Sequence, residues 1–126
     1  DFHAGYVALL LSSYEKLTGR SLLRGQPASA VESARGIWEA PFVVASDITT
    51  VEDPILTYGN QSALNVFGMP WEEFVSTPSR FTAEAGDRAE RAQLLSEVTR
   101  NGFVDNYSGI RISKSGQRFR ITNATV

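Results

Sequence analysis

Three polar side chains spaced by twos within an apolar pattern offer this sequence its best-defined chemistry. The segment Gly102–Asn123 reads as a long antiparallel hairpin that turns at Lys114-Ser115-Gly116, where the glycine supplies a positive φ. Arg111 alternates with Ile110 and Ile112, and Arg118 and Arg120 alternate with Phe119 and Ile121. The pattern predicts one apolar face and one basic face. Counting back by twos from Ile112 puts Ile110, Ser108 and Asn106 on the apolar face, and counting forward from Ile121 adds Asn123. Polar groups aimed at a core need each other, water or a ligand. Two amides and a hydroxyl could read the edge of an aromatic or planar heterocyclic ligand, with Tyr58 adding a phenol from a neighbouring strand. Equally, they could form a self-satisfied structural cluster. A bulge near Ser108-Gly109 would turn Asn106 and Ser108 to the other face.

Other chemistry is poorly supplied. The only histidine, His3, lies at the N-terminus, far from any sharp serine turn, so a Ser-His-Asp arrangement is not expected. Glu72/Glu73 and Glu52/Asp53 are adjacent pairs whose side chains diverge, and they read as helix-start charges and turn residues. There is no cysteine, hence no disulfide, thiolate metal site or cysteine nucleophile. Neither a phosphate loop nor metal-ligand spacing is present. The Asn-x-Ser/Thr triplets at Asn60, Asn106 and Asn123 read as chance matches, because no secretion signal is visible. The expectation is a protein that is not an enzyme and holds no metal.

The elements that must position these residues follow from local signals. Val7, Leu10, Leu11, Tyr14 and Leu17 recur at helical spacing from about Ala4 to Leu17, and Gly19 is the expected C-cap. Tyr6 and Leu9 widen that stripe, so the helix packs on its own domain, or on its domain and a second copy as well. A linker, Arg24–Ser29, leads to a short polar helix, about Ala30 to Glu39. Strands are expected at Phe42–Ser46 and Ile55–Tyr58, with a turn at Asp53-Pro54. Asn60 then caps a short helix with Ala63, Leu64 and Phe67 facing inward, Gly68 ends it, and Pro70 opens Trp71–Phe74. Asn60 could alternatively contact a ligand. Asp87-Arg88-Ala89-Glu90 starts a helix to about Asn101, with Ala92, Leu95 and Val98 on one side and Gly102 as C-cap. Arg111, Arg118 and Arg120 are either a solvated sheet face or a docking site.

At 126 residues the chain has room for one domain, which buries roughly two thirds of its unfolded surface. Twelve basic against fourteen acidic residues leave a net charge of -2, unsuited to electrostatic nucleic-acid binding. The apolar run Val7–Leu11 is far shorter than the roughly 20 residues of a membrane span. The chain begins at Asp1 without methionine and stops at Val126, where the pattern places it within a strand. The expectation is a part of something longer, in which a further strand or a partner's strand covers the open edge.

Pro41–Val44, Tyr58–Gly68, Trp71–Phe74 and the hairpin with Ser115–Phe119 resemble a PAS domain. Leu9–Arg20, Glu39–Ser46, Pro78–Arg80 and Tyr107–Ser113 narrow the resemblance to the PAS-related MEKHLA domain family. The resemblance implies an α+β, PAS-like fold: an antiparallel sheet with short helices across one face and an N-terminal helix. It implies a single domain over 1–126, with 1–28 as helical extension and linker. The implied role is sensory or regulatory, binding a small molecule or partner in the cytoplasm and transmitting through a dimer contact. A ligand-free dimerisation or interaction scaffold is the alternative. The homodimer would use Val7, Leu10, Leu11 and Tyr14. The cofactor is unknown. A cysteinyl-flavin adduct is excluded because Pro78-Ser79-Arg80-Phe81 lacks the cysteine such sensors require, and His3 is poorly placed to ligate haem. The implied cavity is lined by Val44, Ile110, Ile112, Phe119 and Ile121 and closed by Leu64, Phe67 and Phe74.

Overall fold

Capping chemistry sets most element ends where the sequence predicts them. The first helix, α1, spans Ala4–Thr18 and stops because Gly19 turns left-handed at φ 73° and returns its N–H to Glu15 O. The computed structural model of the chain describes all residues except Arg24, Gln26, Ala28, Thr49, Thr50, Val51, Ala85 and Asp87. Half of the expected linker and the expected Asp87 cap therefore lie outside the described residues. Helix α2, Ala30–Trp38, starts at Ser29, whose hydroxyl accepts the Glu32 N–H. Strands β1, Ala45–Asp47, and β2, Leu56–Gly59, pair antiparallel. Helices α3, Gln61–Phe67, and α4, Trp71–Phe74, follow, then a 3-10 turn, Ser79–Thr82. Helix α5, Arg88–Asn101, leads into the β3–β4 hairpin, Tyr107–Ile112 and Arg118–Ala124. Among the described residues the strands form two separate two-stranded sheets, β1-β2 and β3-β4, where a single sheet was expected. No helix among them is long and apolar enough to cross a membrane.

Two strand assignments shift. The first strand begins at Ala45 rather than Phe42, because Asn60 takes over the pairing of the preceding residue. The Val44 N–H donates to Asn60 Oδ1 at 3.0 Å, and the Asn60 N–H donates to Val44 O at 3.0 Å. On β2, Ile55 leaves the ladder for an isolated bridge to Pro78.

The hairpin turns where expected, but its faces are not those expected. Gly116 adopts φ 86°, and Ser113 N–H bonds Gln117 O across a loop of three residues. An odd loop pairs residues of like parity, so Ile110 faces Arg120, Arg111 faces Phe119 and Ile112 faces Arg118. Paired residues project to the same side. Arg111 therefore shares the inner face with Phe119, while Ile110 and Ile112 share the outer face with Arg120 and Arg118. The alternation in each strand was right; the assignment of one strand against the other was not.

The core has two parts. Val7, Ala34, Ile37 and Tyr58 pack together, and Leu56, Ala63, Phe67 and Phe74 form a second cluster against which Phe119 lies. The Phe119 and Phe67 rings meet edge to face at 5.1 Å, so the implied cavity is filled at that point. Helix α5 buries Leu94 and leaves Ala92 exposed, a rotation from the face predicted for it. His3 stacks on Trp71 at 4.3 Å. Helix α1 is fastened to the first hairpin by a hydroxyl triangle: Tyr6 Oη lies 2.7 Å from Thr57 Oγ1 and 3.0 Å from Ser46 Oγ, which are 3.1 Å apart.

At the other end of α1, Arg20 Nη1 donates to Asp105 Oδ2 at 2.9 Å and Thr125 Oγ1 donates to Asp105 Oδ1 at 2.7 Å. These bonds, the arginine's foremost, hold the Asp105 carboxyl down to about 2. An unfolded aspartate titrates near 3.9, so this clasp stabilises the fold above about pH 4 and is lost as pH falls toward 2. Asp105→Asn is expected to flatten the acid limb of stability against pH, measured as the urea midpoint. The difference should shrink in high salt because the pair is exposed. Parallel acid limbs for the two proteins would refute the clasp.

Candidate functional site

The structure does not bring the four sequence-predicted residues together. Asn106, Ser108 and Asn123 are all exposed. Ser108 shares the outer face of β3 with Ile110 and Ile112, Asn106 precedes the strand, and a two-against-one bulge displaces Asn123: Gly109 pairs with Ile121 but Tyr107 pairs with Ala124, so Thr122 and Asn123 oppose Ser108 alone. Asn123 accommodates the bulge at φ 53°, and Asn106 enters the strand at φ 53°. Asparagine tolerates this left-handed region better than most residues. These two asparagines therefore serve backbone geometry, and the apolar-face placement expected for Asn106, Ser108 and Asn123 is corrected.

Tyr58 sits elsewhere, fully buried on β2. Its ring packs against Tyr6 at 6.2 Å and Trp71 at 5.8 Å. Its hydroxyl is buried without a hydrogen-bond partner, and burial pushes its pKa up to about 12. It is therefore a neutral phenol at any physiological pH.

Asn60 is fully buried and completely satisfied. Its Oδ1 accepts from Val44 N and from Ala63 N, the latter as the N-cap of α3. Its Nδ2 donates to Ile37 O at 3.0 Å and Phe42 O at 2.8 Å. The cap reading holds, and all four bonding positions of the amide are used within the chain.

A constellation missed in the sequence lies where β1, the 3-10 turn, α5 and β3 converge. Arg111 is only 8 % exposed. Its Nη1 donates to Ile110 O at 2.9 Å and its Nη2 to Tyr107 Oη at 3.3 Å. Tyr107 folds back over Gly109, where a Cβ would collide with its hydroxyl, and donates its own hydrogen bond to the Glu90 carboxylate at 3.0 Å. Arg91 of α5 donates from Nη2 to the buried Ser79 Oγ at 2.8 Å and lies 3.9 Å from Asp47 Oδ2. A register shift between Ser46 and Asp47 marks the end of β1 beside it. Burial lowers the Arg91 pKa; the Asp47 charge opposes this, and the neighbouring charges of Arg111 and Arg88 add to it. The odd length of the hairpin loop was the signal that could have placed Arg111 inside.

Two open grooves complete the surface. One, of about 450 Å³, is lined by Glu84, Gly86, Ile110, Arg118, Phe119 and Arg120. The other, of about 460 Å³, is more apolar and lies along Ile48, Ile55, Leu56 and Val75. No group of three or more His, Asp or Glu side chains able to hold a metal occurs among the described residues.

With this geometry in place, the relationships of the chain are clear. The MEKHLA domain family matches residues 4–126, and the chain belongs to that family. The fold is that of a PAS domain: the PAS domain of a protein from Colwellia psychrerythraea superposes with a TM-score of 0.60 at 15% identity, covering 75% of this chain and 78% of that one. No curated protein sequence matches.

Proposed function

We propose that the protein is a non-catalytic sensory module that binds a small molecule and transmits its state through a contact between two copies of α1. The observation that carries this reading is the double engagement of α1. One side is fastened to the first hairpin by Val7 and the Tyr6–Ser46–Thr57 hydroxyls, while Leu9 and Leu17 remain 58% and 53% exposed. A helix fixed to the sheet on one side, with two exposed leucines among polar residues on the rest of its surface, can carry a shift in the sheet to a partner. The family and the PAS-like fold support the sensory role. Val7 is buried within its own chain and cannot serve the contact, so the interface shifts from the expected set toward Leu9 and Leu17, with Leu10 and Tyr14 beside them. A ligand-free scaffold is the second reading, favoured by the filling of the inner face by Phe119.

The test is a pair of substitutions, Leu9→Glu with Leu17→Glu, followed by sedimentation velocity. Wild type is expected to dimerise at micromolar concentration and the variant to remain monomeric with an unchanged unfolding midpoint. A monomeric wild type, or a variant that still dimerises, would remove the α1 contact.

A further inference from the structure

We propose that the seam between α5 and β3 binds a small oxyanion, a carboxylate or phosphate group of a small molecule, on the guanidinium groups of Arg91 and Arg111. This deepens the sensory reading and rests on it for its role, though not for its chemistry.

A buried arginine is ordinarily paired with a carboxylate, because an uncompensated ion in a low-dielectric site is costly. Arg91 has Asp47 only at 3.9 Å, the limit of an ion pair, and spends its short bond on a neutral serine. Arg111 makes no ion pair among the described residues; its two bonds go to a carbonyl and a phenol. On that side the Glu90 carboxylate accepts from the Tyr107 hydroxyl rather than from Arg111 itself. Arg88 adds a third positive charge, with its Nε on Ala83 O. Among the described residues, three arginines thus meet two carboxylates, Asp47 at the limit of an ion pair and Glu90 reached only through the Tyr107 hydroxyl, which leaves net positive charge for an incoming anion to neutralise. The donors suit the task, since guanidinium forks match carboxylate and phosphate oxygens, and Ser79 Oγ and Tyr107 Oη stand beside them. The side chains of Arg91 and Asp47 keep 16% and 14% exposure, so the seam is shielded but not sealed.

The test uses the whole chain and three probes: sodium succinate, sodium citrate and inorganic phosphate, each against sodium chloride at matched ionic strength. At least one probe is expected to raise the thermal midpoint saturably, by several degrees, and which probe does so names the oxyanion class. Arg91→Gln and Arg111→Gln are each expected to weaken that response by about tenfold or more, the scale of a lost charge-assisted bond. Arg111→Met reports on the protein without probe. Removing an uncompensated charge is expected to leave the midpoint equal or higher. A midpoint several degrees lower, or failure to fold, would make the guanidinium a structural strut and overturn the proposal. A response no greater than chloride, or one that survives both glutamine substitutions, overturns it equally. A saturable response in a protein that stays monomeric upholds this site and removes only the dimer reading.

Discussion

Asn60→Ala is expected to lower unfolding stability by roughly 4 kcal/mol or more, since each buried group left unsatisfied costs about 1–3 kcal/mol. The substitution strands Val44 N–H, Ala63 N–H and Phe42 O together and leaves Ile37 O only its long bond from Ala40 N–H. These groups belong to the end of α2, the approach to β1 and the start of α3, so one amide joins three elements otherwise distant in sequence. That loss is a large part of the roughly 5–15 kcal/mol that holds a domain of this kind. The informative companion is Asn60→Asp. It preserves shape and the helix cap but removes the Nδ2 donors and turns a carboxylate oxygen toward two carbonyls. If Asn60 were only an N-cap, aspartate would cost well under 1 kcal/mol, because the two residues cap about equally well. The hub reading requires Asp to be at least as damaging as Ala at neutral pH, read from urea unfolding.

The second large effect is expected one residue earlier. A Cβ at Gly59 would lie 2.5 Å from Cε1 and 2.8 Å from Cζ of Phe74. The ring cannot yield easily: Phe74 is fully buried and packs with Leu56, Ala63 and Phe67, the last at 5.9 Å. Gly59→Ala is therefore expected to cost on the order of 3 kcal/mol, the upper range for overpacking. Phe74→Leu alone is costly too, but the pair should be less destabilised than the sum of the singles, because the shorter side chain vacates the space the methyl enters. Additive losses in a double-mutant cycle would show that the clash does not set the cost.

Helix ends were legible because their chemistry is local. Gly19, Ser29, Asn60 and Gly68 each satisfy groups within a turn or two of themselves. The faces of the hairpin were not, although both alternations were plain. Which face of β3 joins which face of β4 depends on the parity of the loop, and a three-residue loop set Arg111 against Phe119 rather than Ile110 or Ile112. The polar site built from Asn106, Ser108 and Asn123 failed with it: Ser108 went outward with Ile110 and Ile112, and a bulge on β4 displaced Asn123. The start of β1 was hidden by a side chain: Asn60, sixteen residues on, occupies the Val44 N–H in place of a strand partner. The arginine seam needed long-range knowledge of both kinds, the hairpin register for Arg111 and the rotation of α5 for Arg91.

Occupancy inside the domain should be felt at α1. Sedimentation velocity of the unmodified chain over a concentration series, in chloride and in the succinate, citrate or phosphate that raises the thermal midpoint, reads this coupling. A reversible dimer is expected whose dissociation constant differs between the two conditions at matched ionic strength. A monomer throughout, or one dissociation constant shared by both conditions, would rule the coupling out.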